Sequence, residues 1–128
     1  MANPAPGFKV KPEHRVNLLP EGRRVRVTFG GVVIADSTHA LRVEETGHGP
    51  AYYLPEKDMR MELLQPTDHK THCPYKGDAS YWTIETTEAE PERSVNAVWG
   101  YRTPFDEVAG LAGHYAFYPN RVETIEVS

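Results

Sequence analysis

The stretch from Arg24 to Ala35 constrains the fold more than any other part of the chain. Val25, Val27 and Phe29 alternate with Arg24, Arg26 and Thr28, the two-residue period of a strand with one buried face. Gly30-Gly31 follows, a pair that tolerates the positive φ of a tight turn, and Val32-Val33-Ile34-Ala35 resumes an apolar run. Together they predict a β-hairpin.

The same short-strand rhythm continues. Residues 38–45 are extended in character, with Ala40, Leu41 and Val43 among charges, and Gly47-His48-Gly49-Pro50 forms a loop. Ala51-Tyr52-Tyr53-Leu54 is a short aromatic strand, and Pro55-Glu56-Lys57-Asp58 suits one helical turn, with proline first and acids early. Pro66 and Pro74 bracket residues 67–73. Residues 79–83 and 94–101 read as strands carrying Trp82 and Trp99, with an acidic solvated connection over 85–92 between them. Residues 115–118 and 122–127 close the chain as two strands. One short helix is expected near 104–111, where Thr103 could cap, Pro104 takes the first position, and Phe105, Val108 and Leu111 share a face. The result is a mainly β, barrel-like or sandwich single domain over 14–128, preceded by an extended or poorly ordered arm over 1–13.

Composition narrows the function classes. At 128 residues the chain is long enough for one cored domain, and no apolar run approaches the ~18 residues of a membrane helix. Residues 1–26 hold six Lys/Arg and two Asp/Glu, whereas the remainder holds eight and sixteen. The only basic run, Arg23-Arg24-x-Arg26, is too short to neutralise a duplex backbone, so no nucleic-acid partner is expected. Nothing near Met1 reads as an export signal, and the single cysteine cannot pair within the chain, so the expected setting is cytoplasmic with a reduced thiol. Monomer and homodimer both remain open.

Several separated motifs resemble the domain-of-unknown-function 427 family. They are residues 24–37 (RVRVTFGGVVIADS), Tyr52-Tyr53-Leu54-Pro55 with Asp58, His72-Cys73-Pro74-Tyr75-Lys76-Gly77 with Tyr81-Trp82, Val98-Trp99-x-Tyr101, and Tyr115-Ala116-Phe117-Tyr118-Pro119. The likeness runs from about His14 to Val127. It implies a small cytoplasmic β-barrel-like domain, similar to the β-tent folds, with a pocket on one side and no settled activity. Family models have carried a nucleotidyltransferase label. Such an enzyme needs a Gly-Ser turn followed by paired acids for two metals, whereas Gly30-Gly31 is followed only by the isolated Asp36.

Residues 69–77 carry the densest chemistry. In an extended segment His69, Thr71 and Cys73 share one face while Lys70 and His72 share the other, so His72 is poorly placed to serve Cys73 as a base. His69 lies too far along the same face. A partner for a reactive Cys73 must come from elsewhere, and His114 is the candidate. The same scatter leaves no metal site assigned, and no cofactor is implied. Cys73 reads either as a small buried hydrophobe or as a reactive thiol. Lys76 is either a solvated turn residue or an ammonium on a pocket rim, and Asp58 is either solvated or the acid facing it.

Aromatic residues come in adjacent pairs on expected strands, so alternation must send one ring of each pair to each face. Some rings should therefore wall a cleft or a partner surface. The expected function is binding of a small polar molecule in a pocket lined by Tyr53, Asp58, Lys76, Trp99 and Tyr118. Catalysis, if present, would use Cys73 as nucleophile with His114 or His72 carrying the proton. The alternatives are a protein-interaction or scaffold module with a structural thiol, and a nucleotidyltransferase-like enzyme.

Overall fold

A computed structural model describes residues 2–87 and 91–128. Its strands are β1 (Val16–Pro20), β2 (Val25–Phe29), β3 (Val32–Ser37), β4 (Leu41–Glu45), β5 (Ala51–Pro55), β6 (Leu64–Cys73), β7 (Gly77–Glu85), β8 (Arg93–Tyr101), β9 (His114–Phe117) and β10 (Thr124–Val127). They form two antiparallel sheets and, among the described residues, no closed barrel. A seven-stranded sheet runs β1-β4-β5-β9-β8-β7-β6, and a three-stranded sheet runs β10-β2-β3. The hairpin expected from the alternation is β2–β3, with Phe29 opposite Val32 and both turn glycines at positive φ (58° and 74°).

Each face of the large sheet has its own core. Leu54, Trp82, Ile84, Val98, Tyr115 and Phe117 pack with Val25, Val27 and Ile34 of the small sheet. On the other face lie Val43, Tyr53, Ala79, Tyr81, Tyr101 and Ala116, joined by Val108 and Leu111. Chain neighbours thus part company: Tyr53 from Leu54, Tyr81 from Trp82, Ala116 from Tyr115. The small sheet covers the first face, and the second is left for a shorter cover and a cavity.

That shorter cover refines the sequence reading. The short helix expected near 104–111 is a pair of 3-10 turns over Asp106–Leu111, kinked at Val108 (φ −128°, ψ 31°). It does not begin at a Thr103 cap, because Phe105 is still extended (φ −61°, ψ 157°). The reason is tertiary. The Phe105 N–H donates to the Lys76 carbonyl at 2.9 Å and that of Asp106 to the Asn3 carbonyl at 2.9 Å. The carboxylates of Asp106 and Glu107 accept from the N–H groups of Asn3 (2.7 Å) and Ala5 (2.9 Å). Groups that would have opened an α-helix are spent on the N-terminal segment instead. Val108 and Leu111 still reach the core.

The same bonds dock the segment expected as an arm. Residues Gly7–Val10 make one helical turn, Ala5 is buried, and the Gly7 N–H donates to the Pro74 carbonyl at 2.9 Å. β1 was not anticipated, since its apolar residues lack clean alternation; it pairs with β4. The acidic connection expected over 85–92 falls partly on residues 88–90, which lie outside those described. Among the described residues no helix is long and apolar enough to cross a membrane.

A first prediction concerns the docked segment. A Cβ on Gly7 would stand 2.7 Å from two ring carbons of Tyr75 and 2.8 Å from the Pro74 carbonyl oxygen. Alanine would add up to ~1 kcal/mol of helix propensity, but a backbone oxygen at that distance cannot rotate away. Gly7→Ala is therefore expected to destabilise by about 1–3 kcal/mol, the range for overpacking. Thermal unfolding checks it, and an unchanged or raised Tm would show that the segment does not bear on the fold.

Candidate functional site

The face of the large sheet away from the small sheet holds a partly open cavity of about 390 Å³, within the roughly 300–1,000 Å³ typical of small-molecule sites. Its walls are aromatic. Tyr53 comes from β5, Tyr81 from β7, Trp99 and Tyr101 from β8, and Tyr118 from the end of β9. Register explains the convergence: Tyr81 stands opposite Trp99 and Ala79 opposite Tyr101, so those rings occupy neighbouring rows on one face. Trp99 packs on Tyr118 with ring centres 4.4 Å apart and meets Tyr53 edge-on at 6.0 Å.

The polar tips of these rings are ordered. The Trp99 indole N–H donates to the Tyr53 hydroxyl at 3.0 Å. Thr71 Oγ1, the Tyr81 hydroxyl and the Tyr118 hydroxyl form a chain with spacings of 2.9 and 3.1 Å. Burial pushes Tyr53 and Tyr101 well above the usual phenol range, only partly opposed at Tyr53 by the bond from Trp99. Burial, then the bond to Tyr81, raises Tyr118 to about 12. These phenols are neutral hydrogen-bonding groups at physiological pH, not phenolate bases.

Charge enters at one end. The β6–β7 turn is held from two sides, by the Gly7 N–H on the Pro74 carbonyl and the Phe105 N–H on the Lys76 carbonyl. Gly77 closes the turn at φ 120°, a conformation that disfavours a side chain. Lys76 is thereby turned inward, where its ammonium is ion-paired with Glu45, both side chains being nearly buried. The second oxygen of Glu45 lies 2.9 Å from His14 Nε2, and the His14 ring stacks on Tyr75 at 3.9 Å. Burial raises the Glu45 pKa, but hydrogen bonds from Lys76 and His14 outweigh it, and the carboxyl ends below its usual range. His48, from the β4–β5 loop, borders the cavity beside them.

Of the residues expected to line the pocket, Tyr53, Lys76, Trp99 and Tyr118 are brought together on this cavity. Asp58 is not. It lies in the 3-10 turn Glu56–Asp58 and accepts a 2.6 Å bond from Ser37 at the end of β3, which belongs to the small sheet. The acid that faces Lys76 is Glu45. It shares its strand face with Leu41 and Val43, and a carboxylate continuing an apolar row was the signal for it. His14 had no sequence signal, because it reaches the site through the pairing of β1 with β4, which sets Val16 opposite Glu45.

The thiol and the histidines do not form a dyad. Cys73 ends β6 opposite Gly77 and is half-buried against the core on the cavity side of the large sheet. His72 points to the other face and meets Asp78 at 2.7 Å. His114 sits at the start of β9, three strand spacings from β6, which is about 14 Å, and its Nδ1 lies 3.0 Å from the Ala112 carbonyl oxygen. Among the described residues the Cys73 sulfur has no hydrogen-bond partner, and no three His, Cys, Asp or Glu side chains cluster as metal ligands.

Other hollows are shallower in chemistry. A wider one of about 530 Å³ opens at the Gly30-Gly31 turn between Phe29, Glu92 and Glu123, without a comparable set of rings. Comparison with curated proteins finds no match to this chain. A family model described as a domain of unknown function, DUF427, matches residues 17–128, and the chain belongs to that family.

Proposed function

We propose that the chain binds a small polar molecule in the aromatic cavity. The observation that carries this reading is the convergence of five rings from β5, β7, β8 and the residue after β9 on one hollow with a charge-compensated Lys76–Glu45 pair at its end. A core built only for stability would fill the space with apolar side chains. Here hydroxyls and an indole N–H are fixed around it, the arrangement that orients a ligand. Flat ring faces suit a planar or sugar-like body, and the neutral phenols suit its hydroxyl or amide groups.

Binding is favoured over Cys73 chemistry because neither His72 nor His114 is within reach of the sulfur. It is favoured over a surface interaction module because Tyr53, Tyr81 and Tyr101 are buried in the cavity wall. Conspicuously exposed large apolar residues, Val10, Val33 and Val95, sit singly on different elements. We place this activity in the cytoplasm, where a half-buried free thiol stays reduced.

The two tryptophans supply the test. Trp99 lines the cavity, whereas Trp82 lies in the core on the opposite face. In ¹⁵N-labelled protein, phenol and benzamide at millimolar concentration are expected to shift the Trp99 indole N–H resonance saturably and leave that of Trp82 in place. No saturable shift at Trp99 with either probe, or equal shifts at both indoles, would remove the reading.

A further inference from the structure

A second hollow of about 390 Å³ adjoins the aromatic cavity and shares two of its walls, Tyr81 and Tyr118. The hydroxyls of these two residues lie 3.1 Å apart, and both residues belong to both linings. The far side is lined by His69, Asn96, Asn120 and Arg121, with no carboxylate among the described lining residues. In a chain of net charge −4 such a lining is a departure from the general surface.

The donors are placed by their backbone. Arg121 ends the 3-10 turn Pro119–Arg121, where its N–H donates to the Tyr118 carbonyl at 2.9 Å and its carbonyl accepts from Ser94 at 2.7 Å. Its guanidinium makes no ion pair among the described residues, although Arg121 also borders the groove that Glu92 and Glu123 line. The Arg121 charge draws the Tyr118 phenol down against the larger effect of burial, as expected of a cation near that hydroxyl. Asn96 is the one described non-glycine residue at positive φ (53°), a conformation that costs of order 1 kcal/mol and clusters at functional sites. Its N–H donates to Thr83 at 3.2 Å and its Oδ1 accepts from Thr67 at 2.7 Å. The side-chain N–H groups are what Asn96 offers to the hollow. His69 packs edge-on to the Tyr81 ring at 4.5 Å.

We propose that the two spaces form one composite site for a small organic anion, whose neutral body lies among the rings and whose carboxylate or phosphate is held by Arg121 with Asn96, Asn120 and His69. This rests on the cavity being a ligand site and names the class of ligand. Arginine's planar fork of donors fits both oxyanions. The Tyr81 and Tyr118 hydroxyls stand where the body joins its anionic group.

The experiment compares phenol, inorganic phosphate, benzoate and phenyl phosphate on the labelled protein, followed at the Trp99 indole and the backbone amide of Arg121. At least one of benzoate and phenyl phosphate is expected to bind tenfold or more tightly than phenol and than inorganic phosphate, and the better of the two identifies the anion. Arg121→Gln should erase that advantage, while Arg121→Lys retains part of it. Anionic probes no better than phenol, or an advantage that survives Arg121→Gln, would overturn the composite site and leave the aromatic cavity standing. Failure of phenol itself to reach Trp99 would instead bring down the cavity reading and this one with it.

Discussion

Glu45→Gln is expected to lower the unfolding free energy by about 3 kcal/mol at neutral pH. The side chains of Glu45 and Lys76 are only 12% and 10% exposed, so this is a nearly buried pair and not a solvated one. Removing one member leaves the Lys76 ammonium desolvated without its carboxylate, which costs about 3–5 kcal/mol in buried pairs; the residual solvent contact argues for the low end. Replacing both, Glu45→Gln with Lys76→Met, should recover most of the loss, because two desolvation penalties disappear with the attraction. Denaturant unfolding of the single and double variants checks this. A loss under about 1 kcal/mol for the single variant would mean that the pair behaves as a surface bridge. The pH dependence has a definite sign. Burial acts to raise the Glu45 pKa, but Lys76 and His14 bring it below the ordinary 4.5. Its stabilisation is therefore complete above about pH 4.5 and fades as the pH falls through the lowered native value. Glu21, brought to about 2 by hydrogen bonds from Arg23 and then Arg42, acts in the same direction. Glu45→Gln should flatten the acid limb of the stability profile.

The other large effect belongs to the opposite face. Ile34→Ala should cost about 2–5 kcal/mol, since Ile34 is fully buried between the two sheets and its removal leaves a cavity there. At a few degrees per kcal/mol for a domain of this size, Tm should fall by roughly 10–20 °C. Below that lowered Tm, the response of the Trp99 indole to phenol should be unchanged, because Ile34 and Trp99 belong to different cores. A collapsed response in still-folded Ile34→Ala would mean that the two faces of the large sheet are coupled more tightly than their separate packing implies.

Much of the cavity wall was legible because β-structure has a two-residue period. Once Tyr52-Tyr53, Tyr81-Trp82 and Tyr115-Ala116 are strands, their side chains must divide between faces, and Tyr53, Trp99 and Tyr118 can be assigned to a cleft without coordinates. The turn carrying Lys76 was legible because Pro74 and Gly77 delimit it, but not the direction in which its ammonium points. Asp58 was misplaced because a turn residue carries no periodicity to fix its face, and Ser37 from a distant strand claims it. The helix start at Thr103 was misjudged because local capping preference, about 1 kcal/mol, is outweighed by several bonds to Asn3, Ala5 and Lys76.

By itself the sequence determined most of the strands, the β2–β3 hairpin, the division of aromatic pairs between two faces and the presence of a turn at Pro74–Gly77, all of which follow from steric rules acting over a few residues. Only the tertiary structure decided that Lys76 and His14 meet on Glu45, that Cys73 stands about three strand spacings from His114, and that Tyr81 and Tyr118 line both an aromatic cavity and a donor-lined hollow. Those facts depend on strand order and on the pairing of β1 with β4. They are set by contacts between residues far apart in the chain, and short-range periodicity carries no record of them.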